Sequence, residues 1–105
     1  MSLPYSSQEP DRAAVDAMAG PVVLEFGTDW CGHCRAAEPL ISVALGAHPN
    51  VRHLKIADGK GRPLGRSFGV KLWPTLVFLK DGKEVTKLIR PTSAAAIREA
   101  LGKLG

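Results

Sequence analysis

Two cysteines three positions apart, Cys31 and Cys34, come just after the apolar run Val22-Val23-Leu24-Glu25-Phe26. That juxtaposition constrains the chain more than any other feature. The run is nearly continuous and opens on β-branched residues, the mark of a strand buried on both faces. Gly27 to Trp30 then leaves room only for a short loop, so a helix opens at or near Cys31 and runs toward Ala47. A disulfide between residues this close would close a tiny loop and add little stability, because the entropic gain grows with loop length. The pair therefore needs a chemical explanation rather than a structural one.

The flanking sequence supplies the remaining elements. Ser7 to Met18 reads as a helix with Pro10 in its first turn. Pro39 lies inside the helix that follows Cys31; it removes the hydrogen bond to the Arg35 carbonyl and predicts a kink. Val51 to Ala57 is a second strand, followed by the glycine-rich basic loop Asp58 to Pro63 and a helical turn over Leu64–Phe68. Thr75 to Leu79 and Glu84 to Ile89 flank Asp81-Gly82, a hairpin signal. Thr92 or Ser93 caps a last helix ending near Leu104. The order α-β-α-β-α-β-β-α describes an α/β fold: a four-stranded mixed β-sheet, one strand pair parallel, with helices on both faces. One domain over residues 1–105 accounts for the whole chain.

Hydrophobic residues make up 45% of the composition, enough for a core. No apolar run approaches the ~20 residues that span a bilayer. Met1 to Ala19 is polar and charged, unlike a signal peptide, so a cytoplasmic location is expected; a periplasmic or secreted one stays open if an export signal has been removed. The net charge is +4, but Lys and Arg are spread over Lys55–Arg90, and the six aromatic residues do not interleave with them. No nucleic-acid or membrane partner is implied, and a monomer is expected.

The spacing Cys31-Gly32-His33-Cys34 beside a strand–helix–strand pattern suits redox chemistry. At a helix N-terminus, free N–H groups and the macrodipole favour an anion, so Cys31 is the expected nucleophile. Cys34, on the same helix face, reaches it and resolves the mixed disulfide, leaving a redox disulfide Cys31–Cys34. Glu25 lies six positions before Cys31, at the end of the buried strand. Burial favours its neutral form, and near the dithiol it is a candidate acceptor for the Cys34 proton. An imidazolium at His33 would favour thiolate and make the disulfide a better oxidant.

Val22–Pro39, VVLEFGTDWCGHCRAAEP, resembles the active-site segment of the thioredoxin superfamily, and Leu72–Leu79, LWPTLVFL, resembles its second signature. The hairpin and last helix match too, so the likeness covers nearly the whole chain. It implies the thioredoxin fold, no cofactor, and protein disulfides or dithiols as substrates, with a reductase partner on the reducing route. WCGHC is the form seen in protein disulfide isomerase domains, where bacterial thioredoxins usually carry Pro at the position of His33. The resemblance also implies that Pro74 is cis and sets backbone beside the cysteines for an extended substrate. It gives Glu25 the position of the family's buried acid. Trp30 is expected to pack beside the dithiol and cover it.

Two positions depart from the pattern. Trp73 stands where thioredoxins have a small or aliphatic residue, and Arg90 where they have a glycine; both would narrow or charge the substrate groove. The basic loop around Lys60–Arg62 is about two residues longer than the usual version. Three functions fit these residues: a thiol–disulfide oxidoreductase, a thioredoxin-like binding or chaperone module without turnover, and a metal carrier using Cys31, His33 and Cys34. The metal reading is short of ligands, since zinc usually takes four.

Overall fold

The computed structural model describes residues 4 to 105; Met1 to Leu3, the start of the polar N-terminal stretch, lie outside them. Four strands, β1 (Pro21–Gly27), β2 (Arg52–Ala57), β3 (Thr75–Lys80) and β4 (Lys83–Ile89), form one sheet in the order β2-β1-β3-β4. β1 runs parallel to β2 and antiparallel to β3, and β4 is antiparallel to β3. Four helices complete the fold: α1 (Arg12–Asp16), α2 (Gly32–Gly46), α3 (Pro63–Ser67) and α4 (Ala94–Gly102). This is the thioredoxin fold.

Side chains alternate across a strand, so β1 feeds two separate cores. Val23 joins Leu76 and Phe78 under α2 and α4, with Ala37, Ile41, Ile97 and Leu101. Val22, Leu24 and Phe26 face the other way, onto Val15 of α1 and Leu64 of α3. Glu25 shares the parity of Val23, which turns its carboxylate toward the α2 side of the sheet. That one residue therefore interrupts an otherwise apolar face directly beneath the helix that starts at the cysteines.

The first helix is shorter than the sequence pattern suggests. Residues 7–18 do not form one helix; α1 covers only Arg12–Asp16. A residue before proline is pushed out of the helical region, so Glu9 cannot lead through Pro10. Asp11 instead caps the helix, its side chain accepting from the Ala14 N–H at 2.8 Å. The preceding chain is laid along the free edge of β2: Ser6 N–H donates to the Lys55 carbonyl at 2.8 Å, and Ala57 N–H to the Ser6 carbonyl at 2.9 Å. This carries Tyr5 to the end of the sheet where the cysteines lie.

α2 runs unbroken through the exposed Pro39. Ser93, rather than Thr92, caps α4. No helix among the described residues is long and apolar enough to cross a membrane.

Candidate active site

Cys31 is the N-cap of α2, with extended backbone (φ −82°, ψ 120°). Its sulfur accepts a hydrogen bond from the Cys34 N–H at 3.2 Å, the bond an N-cap oxygen would ordinarily take. A 15-residue helix and a donated N–H thus both favour negative charge on this sulfur. Both cysteines are free thiols, 8% and 3% exposed respectively. Burial, then hydrogen bonding to Cys31, pushes the Cys34 thiol up to about 11. The two sulfurs are therefore unequal: one sits at the helix start, and the other holds its proton and must be relieved of it.

Glu25 is 2% exposed, so it does not bend out to solvent. Its carboxylate does not meet Cys34 by a bond of its own. One oxygen accepts from the Tyr5 hydroxyl, and the other pairs with His53 Nε2 at 2.8 Å. The Tyr5 ring and hydroxyl lie against the Cys34 thiol, in one cluster with both cysteines. Tyr5 and His53 were not candidates on sequence grounds. The one sequence signal for Tyr5 is Gly27 at the end of a buried strand, since a strand glycine often marks a close approach. Here the β-carbon that Gly27 lacks would lie 2.6 Å from the Cys34 sulfur and 2.8 Å from the Tyr5 hydroxyl.

Trp30 does not cover the dithiol. It is 74% exposed, and its ring meets Trp73 edge-on at 5.7 Å. The cover comes from Tyr5, which clusters with both cysteines, and from Trp73, packed against that cluster. The physical reason is the partner its ring finds: Trp30 packs edge-on against Trp73, and the space beside the Cys34 sulfur holds the phenol arriving from the β2 edge. Trp73 is half-buried, its indole N–H held by Asp58 at 2.9 Å, so the ring leans toward the basic loop rather than standing free in a groove.

The Trp73–Pro74 bond is cis. Arg90 has φ 50°, in the left-handed region that favours glycine. Its backbone N–H donates to the Pro74 carbonyl at 2.9 Å, and its guanidinium Nε to the Trp73 carbonyl at 2.8 Å. The charge expected from sequence is thus set at the cis-proline segment itself. His33 is exposed in the first turn of α2. Among the described residues, no three His, Cys, Asp or Glu side chains are grouped to hold a metal ion.

The thioredoxin family model matches residues 6–103. The chain is 36% identical over 80 residues to a thioredoxin of Chlamydia muridarum, covering 75% of this chain and 78% of that one. It is 34% identical over 71 residues to thioredoxin Asp f 28 of Aspergillus fumigatus, covering 68% of this chain and 66% of that one, just under two thirds. Among solved structures, thioredoxin 2 from Pseudomonas aeruginosa PAO1 in its reduced form superposes with a TM-score of 0.89. That pair is 55% identical, with 99% of this chain and 96% of the other covered. The fold, the paired cysteines at a helix start and these likenesses agree: the chain belongs to the thioredoxin family of thiol–disulfide oxidoreductases.

Proposed function

We propose that the chain exchanges disulfides with protein substrates, Cys31 attacking and Cys34 resolving. The inequality of the two thiols carries this reading. Cys31 sits at the helix N-terminus with a donated N–H, whereas the Cys34 thiol is pushed up to about 11 by burial. Cys31 sulfur attacks one sulfur of a substrate disulfide, and the other leaves as thiolate. The Cys34 sulfur then bonds to Cys31, expelling the second substrate sulfur with its electron pair, and the Cys34 proton passes to a base. The two electrons come from the dithiol, so the chain ends as the Cys31–Cys34 disulfide and no cofactor takes part. In a cytoplasmic setting the chain works as a monomeric reductase, recharged by a reductase partner. The WCGHC sequence with its His33 suits the oxidising or isomerising direction instead, and poise against glutathione decides between them. Substrate binds across Pro74 and the Trp73 backbone, beside Trp30 and Arg90, as an added extended segment.

Trapping tests the reading. Cys34→Ser should accumulate mixed disulfides on non-reducing gels and lose turnover in insulin reduction with dithiothreitol, while Cys31→Ser should trap nothing. Trapping by Cys31→Ser alone would reverse the roles. An unmutated protein without activity in the insulin assay would leave a binding module.

A further inference from the structure

The resolving step needs somewhere for a proton to go, and the side chain against the resolving sulfur is that of Tyr5. We propose that the Tyr5 phenol relays the Cys34 proton to Glu25 during resolution, while His53 holds the other carboxylate oxygen. The inference rests on the exchange chemistry proposed above and deepens its second step.

Placement comes first. The N-terminal segment is bonded to β2 on both sides of Ser6, and the Tyr5 N–H donates to Asp29 at 3.0 Å, just ahead of the cysteines. Gly27 leaves the space that the phenol and the Cys34 sulfur jointly occupy. The hydroxyl donates to one Glu25 oxygen, and the other oxygen is taken by His53. The carboxylate is thus buried, while His53 is 28% exposed, so the chain of bonds runs from a buried sulfur to the protein surface.

A phenol suits the middle of such a chain, because its oxygen both donates and accepts. Before resolution the Cys34 S–H donates to Tyr5 and the Tyr5 O–H to the Glu25 carboxylate. As the Cys34 sulfur attacks, its proton moves to the Tyr5 oxygen and the Tyr5 proton moves to Glu25. Every bond reverses and no phenolate is left. Burial and the neighbouring Glu25 push the Tyr5 hydroxyl far above the ordinary tyrosine range, so a free phenolate is not a resting state. Other charges face the phenol from each element packed on it. Lys55 of β2 lies 4.5 Å from the ring centroid, Asp29 lies in the loop before α2, and Arg35 and Glu38 of α2 line a cleft of about 260 Å³ that reaches Tyr5 and Cys34.

Stopped-flow reaction of the reduced protein with 5,5′-dithiobis(2-nitrobenzoate) separates the two steps. Attack by Cys31 releases the first nitrothiobenzoate and resolution by Cys34 the second. Tyr5→Phe keeps the ring and removes the relay; general acid–base transfer contributes roughly 10²–10⁴-fold. The ratio of second to first rate should fall at least about tenfold at pH 7. The second phase should also climb about tenfold per pH unit toward the ionisation of the thiol, a slope that a packing defect would not create. Tyr5 is the single tyrosine of the chain, so feeding 3,5-difluorotyrosine changes the acidity of this phenol alone, without mutation. The pH profile of the second phase should move with it. A ratio and slope unchanged by Tyr5→Phe overturn the relay, as does an unmoved profile in the fluorinated protein, which decides the matter should Tyr5→Phe not fold. Absence of two-step release from the unmodified protein instead overturns the exchange reading.

Discussion

Gly27 and Cys34 are so close that a β-carbon on the glycine would stand 2.6 Å from the Cys34 sulfur, inside any ordinary contact distance. The same atom would meet the Tyr5 ring and hydroxyl at 2.8 Å. Neither neighbour is the loose end of a flexible chain. Cys34 is held in the first turn of α2, and Tyr5 is anchored through its backbone to Asp29. The glycine is therefore a condition for bringing thiol and phenol together.

Gly27→Ala should be destabilised by overpacking, which costs roughly 1–3 kcal/mol in a filled core. The phenol or the sulfur has to give way, so resolution should slow relative to attack. Denaturant unfolding of the reduced protein and the two-phase thiol assay check both outcomes. Unaltered stability would mean that the region yields more easily than these distances require.

The raised Cys34 thiol has a pH signature. Its ordinary value is 9.0 and burial, with Cys31 as hydrogen-bond partner, moves it to about 11. The unfolded chain therefore loses this proton first as pH rises. The stabilisation is complete below about pH 9 and is lost between about 9 and 11. At 1.36 kcal/mol per unit the loss is on the order of 2 kcal/mol, reduced by the coupling to Cys31. Tyr5 is also pushed up and adds a slope of the same sign at higher pH. Cys34→Ser keeps the burial and the Glu25 partner that dominate the Tyr5 contribution and removes the thiol, so the difference between the two proteins is chiefly that of Cys34. Urea unfolding under reducing conditions at pH 8, 9.5 and 11 should show the variant losing less; parallel losses would remove the thiol from the account.

Much of this was readable because it is local. The run Val22–Phe26 announces a buried strand, and β1 extends it by one residue at each end. Cys31 after a short loop announces a helix start, and Asp81-Gly82 a hairpin, because turn chemistry acts over a few residues. What escaped depends on distant contacts. Tyr5 meets Glu25 across 20 positions and His53 meets Glu25 across 28, so no local pattern marks either as a site residue. The overlong first helix and the misplaced Trp30 both turn on contacts that sequence spacing does not mark. The segment before Pro10 is spent on the β2 edge instead of a helix and delivers Tyr5 to the sulfurs, while Trp30 packs on Trp73.

His33→Pro should make the disulfide harder to reduce. The residue is exposed in the first turn of α2, a position that tolerates proline, so the helix should persist. What is lost is a positive charge near the Cys31 sulfur whenever the imidazole is protonated. A 30 mV change corresponds to ~1.4 kcal/mol for this two-electron couple, well within reach of equilibration against glutathione. A potential that is the same in both proteins at every pH would leave His33 without this role.

The groove gives the last expectation. Arg90 places its guanidinium Nε 2.8 Å from the Trp73 carbonyl, the backbone group an extended substrate would use. A carbonyl has two lone pairs, so a substrate N–H can still bond there, but it does so beside a cation. The Trp73 indole is tied to Asp58 and leaves the groove less crowded than a free ring would, so selection should come from charge more than from bulk. Two unit charges at 4 Å interact by about 1 kcal/mol in water and more where water is excluded, enough for several-fold discrimination. Disulfide peptides with acidic flanks should therefore be reduced several-fold faster than basic ones at low salt. The preference should shrink near 1 M salt, where the screening length is only ~3 Å. Arg90→Gly removes the charge at a residue whose φ of 50° glycine adopts without penalty, so the variant should fold at least as well as the parent. It should treat acidic, neutral and basic peptides alike, and Trp73→Ile added to it should only widen the range of bulky flanks. Equal rates for all three peptides in the parent at low salt would show that Arg90 braces the Trp73 carbonyl without reading the substrate.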